Sequence, residues 1–139
     1  MSIEFRYRKM VSTIVGTIER PIADILIQTK DGDWIEFHPF IDSGADITLL
    51  PYSFGLMLGL STDLGSIKEL RGVRGIGIPV IITKVRMRIG NIELNPRVAW
   101  ALIEEAPPLL GRLDIFDKFN ITFKEREGKI IFEPVEWEC

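Results

Sequence analysis

Apolar and polar residues alternate at every second position through much of this chain. At the start, Ile3, Phe5 and Tyr7 fall on one face and Glu4, Arg6 and Arg8 on the other, the period of a half-buried strand. Similar β-rich runs cover residues 13–19, 22–28, 34–41, 80–89, 92–94, 98–103, 121–124 and 129–133. Asp31-Gly32, Gly90-Asn91 and Glu127-Gly128 punctuate them where a hairpin needs positive φ, so adjacent strands are predicted to be antiparallel. Helical spacing is confined to two stretches. In residues 51–58 Pro51 suits a first turn and Gly59 a stop; in 113–119 Leu113, Phe116 and Phe119 recur at helical intervals. No repeat, low-complexity linker or domain boundary interrupts the pattern. It predicts one domain over residues 1–139, a small closed or strongly curved antiparallel sheet with one or two short helices.

Composition narrows the function classes. Apolar residues at 46% and charged residues at 27% suit a chain that buries its own core and are too balanced for a disordered one. A net charge of -3 gives no basis for nucleic-acid binding, and Arg6, Arg8 and Lys9, interleaved with Glu4 and aromatics, read as a solvated strand face. Residues 1–10 lack the apolar segment of a signal peptide, and no apolar run is long enough to span a bilayer, so no membrane is expected and a cytoplasmic location is the default. The lone cysteine, Cys139, rules out an internal disulfide or a cysteine metal cluster. Asp31, Asp33, Glu36 and His38 lack the order of a calcium loop, and His38 has no histidine companion. They read as a hairpin turn and a strand face, and neither a metal nor another cofactor is expected.

The most informative segment runs from Phe40 to Pro51, where an apolar strand stops at Asp42-Ser43-Gly44 and apolar character resumes beyond Asp46. As a bare tripeptide, Asp-Ser-Gly is a surface turn, because all three residues are favoured in turns for local reasons. The flanks favour another reading. An exposed turn does not need apolar residues on both sides, so the acid is expected in a largely buried setting. Gly44 lets the backbone turn sharply and leaves room beside the carboxylate for a close approach.

The pattern of two apolar residues followed by Asp-Ser-Gly-Ala resembles the retropepsin family of aspartic proteases, the single-domain, dimeric relatives of pepsin. So does the later Leu109-Leu110-Gly111-Arg112. Between the two, Arg71-Gly72-Val73-Arg74-Gly75-Ile76-Gly77-Ile78-Pro79 stands where that family carries its glycine-rich flap. A phosphate-binding reading of the same glycines fails, since the Gly-x-x-Gly-x-Gly spacing is not a dinucleotide fingerprint and no Gly-Lys-Ser/Thr follows. The resemblance implies an all-β, retropepsin-like closed antiparallel barrel with Asp42, Ser43 and Gly44 at the catalytic position. Ala45, Asp46 and Ile47 would line the cleft, and Arg74, Gly75, Ile76, Gly77 and Ile78 would cover the substrate. Leu110, Gly111 and Arg112 would support the catalytic loop from behind, with Arg112 paired to Asp46.

Metal-free peptide hydrolysis without a covalent intermediate needs a base to activate water and an acid to protonate the departing groups. Two carboxylates sharing one proton supply both. The chain holds one Asp-Ser-Gly element, so the resemblance implies a homodimer in which Asp42 meets its mate at a twofold axis, acting on a peptide or protein substrate. A non-catalytic homodimer that binds a peptide or protein partner in the same groove is the alternative.

Overall fold

The computed structural model describes residues 1–71 and 77–135; Arg74, Gly75 and Ile76 of the expected flap lie outside the described residues. The first strands are β1 (Ile3–Arg6), β2 (Arg8–Ser12), β3 (Gly16–Arg20), β4 (Ile25–Gln28), β5 (Trp34–Phe37), β6 (Phe40–Ile41) and β7 (Thr48–Leu50), followed by helix α1 (Tyr52–Leu58). Next come β8 (Lys68–Arg71), β9 (Gly77–Lys84), β10 (Met87–Ile89), β11 (Ile92–Leu94) and β12 (Arg97–Ala101). The chain continues with β13 (Leu109–Leu110), β14 (Phe119–Lys124) and β15 (Lys129–Pro134). They form a six-stranded sheet in the order β6-β13-β7-β12-β9-β8, a four-stranded sheet β11-β10-β4-β5, a three-stranded sheet β1-β15-β14 and the separate hairpin β2-β3.

Alternation explains the outer sheets. In β4, Ile25 and Ile27 are buried; in β10, Met87 and Ile89; in β15, Ile130 and Phe132; their neighbours along each strand are more exposed. Along β12, by contrast, Val98, Ala99, Trp100 and Ala101 are all buried, because the six-stranded sheet is covered on both faces. One face, with Leu50, Ile81, Val98 and Trp100, joins the main core together with Phe5 and Phe132 of the three-stranded sheet and Ile27 and Met87 of the four-stranded one. The other face carries a thinner layer built on Leu49, Val80, Ala99 and Ala101.

Helix α1 closes the main core against the six-stranded sheet. Trp100 stacks on Tyr52 with ring centroids 5.6 Å apart and donates its indole N–H to the Tyr52 carbonyl at 3.1 Å. Gly55 is what lets the helix come this close, since a Cβ there would stand 2.1 Å from Trp100 Nε1. The helix ends, as expected, at Gly59, whose φ of 86° provides the left-handed cap.

Several sequence expectations change. Two pairings in the six-stranded sheet, β12 with β7 and β13 with β6, are parallel, and among the described residues no sheet closes on itself into a barrel. The single strand expected over 34–41 is broken at His38-Pro39, where proline has no N–H for a ladder, so β5 and β6 enter different sheets. The run 80–89 likewise divides at Val85, whose N–H leaves the ladder for the Pro96 carbonyl at 3.1 Å. The helix expected over 113–119 shrinks to a 3-10 turn at Phe116–Lys118, because Asp114 adopts a φ of 63° that no right-handed helix admits.

Replacing Gly55 by Ala tests the helix-to-sheet contact. Alanine gains up to about 1 kcal/mol of helix propensity, but overpacking a fully buried indole costs about 1–3 kcal/mol. The urea midpoint is expected to fall; an unchanged or higher midpoint would show that the close approach is not required.

Candidate active site

Strands β6 and β7 are neighbours in sequence but not in the sheet: β13 lies between them, parallel to β6 and antiparallel to β7. The connecting loop, residues 42–47, must therefore pass over the end of β13. Four hydrogen bonds fix its path. The Asp42 N–H donates to the Leu110 carbonyl at 3.1 Å, Arg112 N–H to the Ala45 carbonyl at 2.9 Å and Leu113 N–H to the Asp46 carbonyl at 2.8 Å. The Gly111 N–H donates to Thr48 Oγ1 at 3.0 Å, inside the protein. Residues 110–113 thus form a strut behind the loop, in the place expected for Leu110, Gly111 and Arg112. Gly111 is sterically required: a Cβ would lie 2.3 Å from the Ile47 carbonyl carbon and 2.8 Å from the Thr48 nitrogen, both backbone atoms with nowhere to move.

Within the loop, Asp42 turns its carboxylate back on itself. Its Oδ1 accepts the Gly44 N–H at 2.9 Å, and its backbone carbonyl accepts the Ala45 N–H at 3.1 Å. A side chain at Gly44 would press on the same carboxylate oxygen at 3.3 Å. The setting is less enclosed than the flanks suggested. Ile41, Thr48, Leu49 and Leu50 are buried, but Asp42 is half-buried and Ser43, Gly44 and Asp46 are exposed. The loop is a polar rim on an apolar base.

That rim opens onto a cleft of about 240 Å³, which Asp42, Gly44, Ala45, Asp46 and Ile47 line together with Ile78 from the start of β9. Gly77 is not among its lining residues; it packs against Glu69, where a Cβ would meet the side chain at 1.7 Å. Leu49, Leu70 and Leu109 line the floor and belong to the thin apolar layer on this face of the six-stranded sheet. Sequence reading did not single out Leu49, Leu70, Arg71, Pro107 or Leu109 as cleft residues. Leu70 and Arg71 sit on the four-residue strand β8, and Pro107 follows a loop that is tied down elsewhere. The tie is Glu104, which accepts both the backbone N–H and the hydroxyl of Ser53 at 2.8 and 2.7 Å. Those hydrogen bonds, the hydroxyl's first, hold the Glu104 carboxyl below its usual range.

The ion pair expected between Arg112 and Asp46 is absent. The Arg112 N–H goes to the Ala45 carbonyl and the Asp46 carbonyl takes the Leu113 N–H, while Asp46 and Arg112 both line an open groove beside the cleft. The strong pair in this region is Arg97 with Asp114. Asp114 Oδ2 accepts from the Arg97 backbone N–H at 3.0 Å and from Nε at 2.8 Å, while Oδ1 accepts from Nη2 at 3.0 Å. The hydrogen bonds from the guanidinium hold the Asp114 carboxyl well below the usual carboxylate range, outweighing its partial burial. Away from the cleft, Asp31-Gly32 does form the turn of the β4-β5 hairpin, and His38 Nδ1 lies 2.7 Å from Asp24 Oδ1.

Thr48 offers a test of the strut. Thr48→Val keeps the shape but leaves the buried Gly111 N–H without an acceptor, at an expected cost of about 1–3 kcal/mol. Urea unfolding measures it, and a variant as stable as the parent would show that the bond does not hold the loop.

No family model and no curated protein sequence matches this chain. Solved structures do. A retropepsin-like aspartic protease from Rickettsia conorii superposes with a TM-score of 0.64 at 15% identity, over 94% of this chain and 98% of that one. EIAV protease, in complex with the inhibitor HBY-793, superposes with a TM-score of 0.53 at 22% identity, over 78% of this chain and 92% of that one. Together with a mostly β chain and the loop threaded over β13, these likenesses establish that the chain has a retropepsin-like fold.

Proposed function

We propose that the chain is an aspartic endopeptidase that hydrolyses peptide bonds with a dyad of Asp42 carboxylates formed across a homodimer. The observation that carries this reading is the placement of Asp42. It stands at the end of β6, on a braced loop at the edge of an apolar cleft, in a fold shared with two aspartic proteases. One protomer brings a single Asp-Ser-Gly element to that edge, and a twofold contact sets each Asp42 opposite its mate.

In the dimer one Asp42 is ionised and the other protonated, because two carboxylates about 3 Å apart do not both ionise. The ionised member takes a proton from the water between them as that water attacks the scissile carbonyl, and the protonated member donates to the carbonyl oxygen. The Asp42 that took the water's proton then gives it to the departing nitrogen as the carbon–nitrogen bond breaks, while the other recovers a proton from a hydroxyl of the tetrahedral intermediate, which restores the singly protonated pair. The Gly44 N–H, already bound to Asp42 Oδ1, holds that oxygen in place. Ser43 from each chain braces the opposite loop. The substrate lies extended along the cleft with apolar side chains on Leu49, Leu70, Ile78 and Leu109, and main-chain hydrogen bonds supply much of the affinity.

Peptide-library cleavage between acidic and neutral pH, read by mass spectrometry beside the solution mass, tests the proposal. The wild type is expected to cut as a dimer, and Asp42→Asn to lose at least about 1,000-fold in kcat while still binding substrate. Equal cleavage by the two proteins would refute the assignment. Binding without cleavage by either would favour a peptide-binding module.

A further inference from the structure

The geometry points to Arg97 and Asp114 as the positioning pair for the catalytic loop, the part that the resemblance implied for Arg112 and Asp46. This rests on the aspartic-protease reading. Asp114 follows directly on the strut, and its φ of 63° lies in the left-handed region, which is costly for a residue other than glycine. It stands inside a turn that begins at Arg112, whose carbonyl accepts the Ile115 and Phe116 N–H groups at 3.1 and 3.0 Å, and the Asp114 carboxylate reaches the head of β12. There Arg97 meets it with its backbone N–H and two guanidinium nitrogens, all at 2.8–3.0 Å.

The pair closes a circuit. Val98, next to Arg97, lies beside Thr48 in the parallel ladder of β12 and β7. Thr48 Oγ1 holds the Gly111 N–H, and Arg112 and Leu113 hold the Ala45 and Asp46 carbonyls. Asp114 then returns the chain to Arg97. Its links are chain neighbours, the ladder register of Val98 and Thr48, hydrogen bonds to backbone and a two-pronged ion pair, so the circuit has little slack. The planar guanidinium matters here: two parallel N–H donors fix both the distance and the orientation of a carboxylate, which an ammonium cannot do. Because the Asp114 carboxyl is held well below its usual range, the pair stays ionised in the acid conditions that suit a singly protonated dyad. Asp46 and Arg112, which form no ion pair with each other, both line the groove beside the cleft.

The test uses the full-length chain carrying Asp114→Asn, Asp114→Gly or Arg97→Lys, with kinetics on one peptide cut by the wild type and amide hydrogen exchange measured in parallel. Asparagine keeps the size and tolerates the left-handed turn but removes the charge. Glycine relieves the turn and removes the carboxylate. In all three, kcat is expected to fall by about 10- to 100-fold, as for a reacting group displaced by about 1 Å. KM should change by less than about threefold. Exchange should quicken at Arg112 and Leu113 but not at Ile130 or Phe132 in the core. Two results overturn the assignment: unchanged kcat and unchanged exchange at Arg112 and Leu113, or a kcat loss accompanied by faster exchange throughout the core. If the wild type cuts no peptide, the protease reading fails separately, and exchange at Arg112 and Leu113 alone decides whether the pair holds the loop.

Discussion

A two-residue strand held between two others is the constraint on which the candidate site depends. For β13 to lie between β6 and β7, the backbone at Gly111 must pass against the carbonyl of Ile47 and the nitrogen of Thr48 at a distance no side chain permits. Once that contact forms, the link from β6 to β7 has a single route, over the end of β13, and Asp42 is the first residue on it. The hydrogen bonds from residues 111–113 follow from the same contact, because the strut then runs alongside the loop. A turn at the protein surface would leave an aspartate mobile. Here the backbone on both sides of Asp42 is fixed by groups that have no freedom of their own.

The six-stranded sheet supplies the second half of the site through an asymmetry between its faces. The face toward the main core carries Trp100, Leu50 and Ile81 and is sealed by α1, with Gly55 allowing the helix to lie against the indole. The opposite face carries small residues, Ala99 and Ala101, beneath a ring of partly exposed Leu70, Ile78 and Leu109. A layer that thin leaves a shallow apolar trough instead of a finished core. The proposed substrate channel uses that trough, and the energetic logic is the ordinary one of apolar surface awaiting cover.

Much of this could be read from the sequence where a residue type is chemically unusual for its place. Asp42 between apolar flanks, and glycine after Leu109-Leu110, both stood out, and the structure brings them to the two sides of one loop. The turns at Asp31-Gly32, Gly90-Asn91 and Glu127-Gly128 were legible for the same reason, and each joins a pair of antiparallel strands. Strands β7 and β13 were not, since three and two residues are too few for a period to show. The breaks at Pro39 and Val85 depend on which sheet a segment joins, which is decided by distant partners. The exchange of the expected Asp46–Arg112 pair for Arg97–Asp114 was beyond reach altogether. It turns on the sign of φ at Asp114, a residue that helical spacing had placed within a helix.

Mixing two kinds of chain distinguishes one site built from two protomers from a site complete in each. Wild-type chain is combined with increasing amounts of Asp42→Asn chain, allowed to exchange partners, and assayed for peptide cleavage at constant total protein. A dyad with one carboxylate from each chain predicts that activity falls as the square of the wild-type fraction, because a mixed dimer lacks one of its two acids. Activity that falls in simple proportion to the wild-type fraction would mean that each chain cuts alone, and would contradict the account.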